Sequence, residues 1–155
     1  MIVHDHVRET VDFATFFEEM RTSAGRFAYV LTNSSTAADE IAQDAFVQMF
    51  RRWDDIENPK AYLFKSVLNG SRSWARRERR IAPDDRPVTY EPDVDAIAVR
   101  TALAALPDTE RELLVLRYFV GLSDREVADV VDRPLGTVKT VIRRGLQMMK
   151  EAFDE

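Results

Sequence analysis

The chain contains no cysteine among its 155 residues, which excludes disulfides and thiolate-bound metal. Histidine is nearly as scarce, with His4 and His6 the only two. A His-x-His pair can ligate a metal, but no further histidine or cysteine could complete the site. A solvated N-terminal tail is the simpler reading, and no metal is expected. The five glycines never cluster, so there is no phosphate-cradling or dinucleotide loop. No Gly-x-Ser-x-Gly elbow occurs, and no histidine in the body of the chain could serve a nucleophile. Neither an enzyme nor a cofactor is expected. The longest apolar runs, such as LLVL at 113–116, fall far short of the roughly 20 residues that span a bilayer. The start, MIVHDHVRETVDF, lacks the basic and apolar regions of a secretory leader. No membrane insertion is expected, and the cytoplasm is the expected location.

What is present is a folded-chain composition, 45% hydrophobic and 32% charged. The net charge is −5, yet RSWARRERR at 72–80 holds five arginines and one glutamate. Counting by segment resolves the contrast. Residues 1–80 carry 12 basic and 12 acidic side chains, 81–100 carry 2 and 5, and 101–155 carry 8 and 10. The stretch IAPDDRPVTYEPDVD at 81–95 has three prolines, five acids and almost no apolar periodicity. It reads as a flexible acidic linker between two helical modules, so net charge says little about the arginine cluster.

Three amphipathic helices are expected before the linker. The first, over about 11–32, carries Phe13, Phe16, Phe17, Met20, Phe27 and Leu31 at near i, i+3, i+4 spacing. That aromatic stripe is most simply core. The second opens at Thr36, with Asp39 three residues on as a capping signal. Ile41, Ala42, Ala45, Phe46, Met49 and Trp53 form its buried face. Acidic and polar Asp39, Glu40, Gln43 and Asp44 crowd its first turns, and Arg51 and Arg52 its last. By itself that order is explained by the helix dipole.

The third helix has Asn58 and Pro59 as cap and first-turn residue and continues to about Arg80. At about 100° per residue, Leu63, Val67 and Trp74 fall on one side. Lys65, Asn69, Arg72, Arg76, Arg79 and Arg80 share an arc of about 100° on the other. The arginine cluster is thus the end of a longer basic stripe. Solvated faces usually mix signs at i, i+4, whereas here only Glu78 intervenes. Arginine forks suit phosphates and base edges, and nucleic acid is the partner this stripe suggests.

After the linker, DAIAVRTALAAL makes a short helix ended by Pro107. Thr109 with Glu112 can cap the next, which carries Leu113, Leu114, Leu116 and Tyr118 and stops at Gly121. Ser123 and Glu126 form a capping-box pattern ahead of Val127, Ala128, Val130 and Val131. DRPLG then breaks the helix, and another starts near Thr137. Two short helices joined by a tight turn describe a helix-turn-helix. On the second, Val138, Ile142, Leu146, Met149 and Phe153 share a face expected to be core. Thr140, Arg143, Arg144 and Gln147 lie opposite, flanked by Thr137 and Lys139. Hydroxyls, a lysine and two arginines at that position suit phosphates and guanine edges in a major groove. Periodicity alone leaves ordinary helical packing open.

With both halves read, the chain resembles a bacterial RNA polymerase sigma factor of the extracytoplasmic-function type, in a style closest to actinobacterial members. The likeness covers about residues 12–153. AADEIAQDAFVQMFRRW looks like the family's core-polymerase-binding helix, and NPKAYLFKSVLNGSRSWARRERR like its minus-ten region. ALAALPDTERELLVLRYFVGLSDREVADVVDRPLGTVKTVIRRGL looks like the minus-thirty-five-binding domain.

The resemblance implies an all-α fold of two small domains: a region 2 bundle over 10–80 and a region 4 helix-turn-helix over 96–153, joined by 81–95. It implies binding to the clamp coiled coil and flap of core polymerase, and to promoter DNA. An anti-sigma factor is a further partner common in the family. Asp39, Glu40, Gln43 and Asp44 would dock on polymerase. Lys60, Lys65, Asn69, Arg72, Arg76, Arg77, Arg79 and Arg80 would engage minus-ten DNA, with the loop at 55–60 holding a flipped base. Thr137, Lys139, Thr140, Arg143, Arg144 and Gln147 would read the upstream element. The chain departs from the family's pattern at Val141 and Leu146, where many relatives carry basic residues, and at Gly145, a weak helix former. A free-standing helix-turn-helix regulator is the competing reading, but it leaves the first module's acidic helix and basic stripe unexplained.

Overall fold

No proline occurs before Pro59, and the first helix, α1, runs from Ile2 to Thr32, starting well ahead of the expected residue 11. The computed structural model describes residues 2–78 and 94–154, with side-chain surroundings over 13–78 and 97–154. Arg79, Arg80 and most of the 81–95 linker lie outside the described residues. All regular structure among the described residues is helical. The chain divides into two compact units, Met1–Asp84 and Asp85–Glu155.

In the first unit, α1 stops where Asn33 turns left-handed at φ 55°. The Thr32 hydroxyl donates to Ala28 O at 2.8 Å, and Ser34 N donates back to that hydroxyl at 3.2 Å. Ser34 is therefore extended, and its Oγ accepts from Ala37 N at 3.2 Å. Helix α2 (Ser35–Arg51) is capped by Ser34 rather than by the expected Thr36. A 3₁₀ turn, Trp53–Asp55, leads to α3 (Pro59–Glu78). Asn58 Oδ1 caps α3 as expected, accepting from Ala61 N at 3.2 Å.

These helices enclose Ala24, Phe27 and Ala28 of α1, Ala42, Ala45, Phe46 and Met49 of α2, and Leu63, Phe64, Val67 and Leu68 of α3. Each large side chain fully removed from water contributes about 1.5–3 kcal/mol. Phe27 meets Phe64 edge-on with ring centroids 5.8 Å apart. Gly70 permits a close helix crossing, since a Cβ there would lie 3.0 Å from Ile41 Cγ2. The N-terminal part of the aromatic stripe is not deep core. Phe13, Phe16, Phe17 and Met20 are half-buried and clad the helix pair. Phe13 and Phe16 stack against Trp53 at 5.1 and 5.6 Å, and Phe17 against Phe46 at 4.9 Å.

The second unit begins with α4 (Val94–Ala104), so helix already occupies the last two positions of the expected linker. Helix α5 (Asp108–Leu114) is preceded by Pro107 in the cap position. The expected Thr109–Glu112 cap does not form, and Glu112 is buried. Glu110, Glu112, Leu113, Leu114, Val115 and Leu116 are all buried, so α5 is the central helix of this unit, covered all round. It widens into a π turn, Val115–Val120, closed by Gly121 at φ 87° as the sequence suggests. Tyr118, expected among the apolar residues of this helix, is 54% exposed.

Helix α6 (Asp124–Val131) carries the expected capping box. Glu126 N donates to Ser123 Oγ at 3.1 Å, and Ser123 N to Glu126 Oε1 at 2.9 Å. It ends at Asp132, left-handed at φ 55°, and α7 (Leu135–Asp154) follows, two residues before the expected Thr137. The buried side of α7 is Val138, Val141, Ile142 and Gly145. Leu146 and Phe153, expected in the core, are 43% and 53% exposed. The core face is rotated away from them because α5 packs on the Val141–Gly145 side.

Candidate nucleic-acid interface

Three helical surfaces bear the residues singled out by sequence. On α2, Asp39, Glu40, Gln43 and Asp44 are all exposed, because Ala38, Ala42, Ala45 and Met49 take the opposite side into the core. The same outer arc carries Val47, 49% exposed, and Phe50, 63% exposed. Sequence reading missed these two. The signal was available, since at about 100° per residue both fall within about 80° of Asp39. Asp39 and Gln43 also line a cleft of about 280 Å³ with Phe17, Arg21, Thr22, Gly25, Ala42 and Phe46. The surface carries its carboxylates on the first turns of α2 and its two exposed apolar side chains on the last ones.

On α3, burial of Leu63, Phe64, Val67, Leu68 and Ser71 turns the basic stripe outward. Asn69, Arg72, Arg76 and Arg77 are exposed, while Lys60 and Lys65 are half-buried. Trp74, expected on the apolar side, is half-buried. The preceding loop presents Asp55, Glu57 and Asn58 to solvent. The described part of the stripe spans Lys65 to Arg76, about 16 Å at ~1.5 Å per residue, enough to follow several phosphates of one strand.

On α7, Thr137, Lys139, Thr140, Arg143, Arg144 and Gln147 are all exposed. The Thr140 hydroxyl donates to Gly136 O at 3.0 Å, and Gln147 Nε2 to Glu151 Oε1 at 3.3 Å. Arg144 differs from its neighbours. Its Nη1 donates to Glu110 Oε1 of α5 at 3.2 Å. Two further cations of the helix-turn-helix, Arg125 in the first turn of α6 and Arg133 in the connecting turn, are exposed and were missed by sequence reading. The departures from the family pattern acquire causes. Val141 is 6% exposed and so belongs to the core, and a Cβ at Gly145 would lie 3.0 Å from Leu114 Cδ1, so Gly145 faces α5.

The start of α6 is held by one arginine. Arg117 Nε donates to Asp124 Oδ1 at 3.1 Å and its Nη1 to Leu122 O at 3.2 Å, with the guanidinium carbon 5.3 Å from the Tyr118 ring centre. That fixes the entry to the helix-turn-helix after the left-handed Gly121.

Residues 16–81 match Sigma-70 region 2, and residues 96–149 match Sigma-70, region 4. Together the two segments cover more than half of the chain, in the family's order. The chain belongs to the sigma-70 family. The RNA polymerase sigma-E factor of Streptomyces avermitilis is 25% identical over 94% of this chain and 87% of its own length. The ECF RNA polymerase sigma factor RpoE of Cereibacter sphaeroides is 24% identical over 96% of this chain and 90% of its own length. The fold is that of the sigma factor RpoE of Bartonella quintana, solved in complex with the anti-sigma factor NepR. The TM-score is 0.76 at 23% identity, covering 92% of this chain and 97% of that one. The sigma factor is of the extracytoplasmic-function type, and it directs RNA polymerase to initiate transcription at particular promoters. A free-standing helix-turn-helix regulator would leave the region 2 match without explanation. No helix among the described residues is long and apolar enough to cross a membrane.

Proposed function

We propose that the sigma factor divides its work among these three surfaces. The outer face of α2, with Asp39, Glu40, Gln43, Asp44, Val47 and Phe50, docks on the clamp coiled coil of core polymerase. The stripe of Lys60, Lys65, Asn69, Arg72, Arg76 and Arg77, continued in sequence by Arg79 and Arg80, engages minus-ten DNA, and the loop at 55–60 receives a base turned out of the stack. Such flipping costs a few kcal/mol, which the adjacent cations help to offset. Thr137, Lys139, Thr140, Arg143, Arg144 and Gln147 read the upstream element, and the second unit also meets the polymerase flap. The functional boundaries are 10–80 and 96–153, with 81–95 as the tether.

The observation that carries this reading is the pairing of two outward cationic helix faces, on α3 and α7, in two separately folded units. In this role the factor supplies recognition while polymerase supplies the chemistry, and it acts in the cytoplasm where both template and polymerase are found. The Streptomyces relative supports an actinobacterial affinity, against a Cereibacter protein of nearly equal identity. The Bartonella factor's complex with NepR supports an anti-sigma partner here, which would compete with polymerase for Val47 and Phe50 of the α2 face. Runoff transcription with purified core on a genomic promoter library tests the proposal. Discrete start sites that depend on the added chain are expected, and initiation from no template would refute it.

A further inference from the structure

Glu110 is an anomaly in the second unit: a carboxylate only 6% exposed, in the first turn of the central helix α5. A buried charge is tolerated when it is paired, and the described partner is Arg144 Nη1, 3.2 Å away and 34 residues along the chain. Arg144 itself is 55% exposed at its side chain, against 8% for Glu110. One end of the pair is thus anchored in the core, and the other emerges beside the recognition face. The adjacent residue marks the same spot. A Cβ on Gly145 would meet Leu114 Cδ1 at 3.0 Å, Leu114 Cγ at 3.1 Å and Glu110 Cβ at 3.4 Å. Helices α5 and α7 therefore cross most closely where Arg144 leaves α7.

We infer that Glu110 is a positioning residue for upstream-element recognition, holding the Arg144 guanidinium, and with it the rotation of α7, in the pose that meets DNA. The inference rests on the proposed reading of α7 as the recognition helix. Arginine has five N–H donors in a fixed fork, so a carboxylate that takes one from the core side aims the remainder outward. At about 100° per residue, Arg144 lies about 40° from Thr140 and about 60° from Gln147, at the edge of the recognition face next to α5. Rotation matters because side-chain ends lie about 5–6 Å from the helix axis, so a roll of about 10° displaces them by about 1 Å. Hydrogen bonds to base edges work only over about 2.7–3.2 Å. Glu110 does this without touching DNA, since it is buried and carries the same sign as phosphate.

The test uses holoenzyme assembled from the full chain and core polymerase. Initiation is measured on one mapped promoter and on the same promoter with its upstream element scrambled. The readout is the ratio of the two rates for wild type, Glu110→Gln, Arg144→Gln and the double variant. Glu110→Gln is expected to lower the ratio about tenfold, the scale of one lost base-edge contact, while the rate on the scrambled template holds. Arg144→Gln should lower it at least as far, and the double variant no further than Arg144→Gln alone. Wild-type discrimination in Glu110→Gln would overturn the inference, as would an independent extra loss in the double variant. So would a gain in DNA affinity on both templates, which would make Glu110 a brake on Arg144. Circular dichroism of the full chain guards against a trivial cause: reduced helical content in Glu110→Gln would mean the pair holds the fold and not the pose. If the wild-type holoenzyme itself ignores scrambling, the reading of α7 fails instead.

Discussion

Ser71 carries a buried side-chain oxygen with no hydrogen-bond partner among the described residues. An unmet buried hydroxyl costs about 1–3 kcal/mol, and removing it outright is neutral or favourable. Ser71→Ala should therefore stabilise the first unit by about 1 kcal/mol, read as a higher urea midpoint of the full chain; a lower midpoint would reveal a partner for the hydroxyl. Individual residues also mark where the sequence was hard to read. Glu110 and Glu112 look like surface residues until the fold brings Arg144 beside Glu110. Val141 looks like a lost DNA contact and Gly145 like a weak point in the helix, but Val141 is buried and Gly145 lies against Leu114 of α5. Phe50, mostly exposed on an otherwise acidic face, is the reverse case, an apolar residue that periodicity assigns to no core.

At the scale of elements, local chemistry was legible when only one residue could satisfy it. The Ser123–Glu126 box and the Gly121 stop follow from side-chain reach and from φ > 0. The α2 cap was not legible in the same way. Ser34, Ser35 and Thr36 are all competent caps, and the choice of Ser34 depends on the left-handed Asn33 and the Thr32 hydroxyl before it. The face of α7 was misjudged by the rotation that takes Leu146 out and Val141 in. On α3, Asn69, Arg72 and Arg76 face solvent as expected, because one long helix fixes their common side by itself.

Three predictions belong at this scale. Ser123→Ala should destabilise the second unit by about 1 kcal/mol, lowering its melting temperature; an unchanged melt would show the box to be dispensable. Arg72→Ala and Arg76→Ala should each weaken minus-ten engagement and flatten the log–log salt dependence by about 0.9 per lost phosphate, while assembly with core is retained. Asp44→Arg on α2 should do the opposite, lowering core affinity at least about tenfold through like-charge contact with the partner. A pull-down with core polymerase separates the two faces. Loss of assembly in the α3 variants would reassign that stripe.

For the molecule as a whole, each of the two units has its own core, and residues 81–93 tie them together in the chain. With Val94 already in α4, the residues at 81–93 can extend to about 43 Å, a little over one turn of duplex at ~34 Å per turn. Deleting eight of the residues between 81 and 93 leaves a reach of about 17 Å. The shortened factor should still assemble with core and initiate weakly, but lose its response to the upstream element. Equal response in footprinting would show that the tether does not set the spacing. The free chain, at net charge −5, should bind duplex weakly without polymerase. Tight promoter binding by the isolated factor in an anisotropy titration would contradict that.

The π turn at Val115–Val120 has a consequence of another kind. Its bonds enclose a larger ring than those of α5 before it, with Leu122 N reaching back to Leu116 O at 3.0 Å. Losing one residue there would let the backbone close into ordinary α geometry, but Ser123 and all that follows would arrive about 100° out of phase and about 1.5 Å short. Exposed Phe119 is free to change in kind, whereas the number of residues from Leu114 to Gly121 is not. In this segment, descendants of the chain should tolerate substitution while rejecting insertion and deletion.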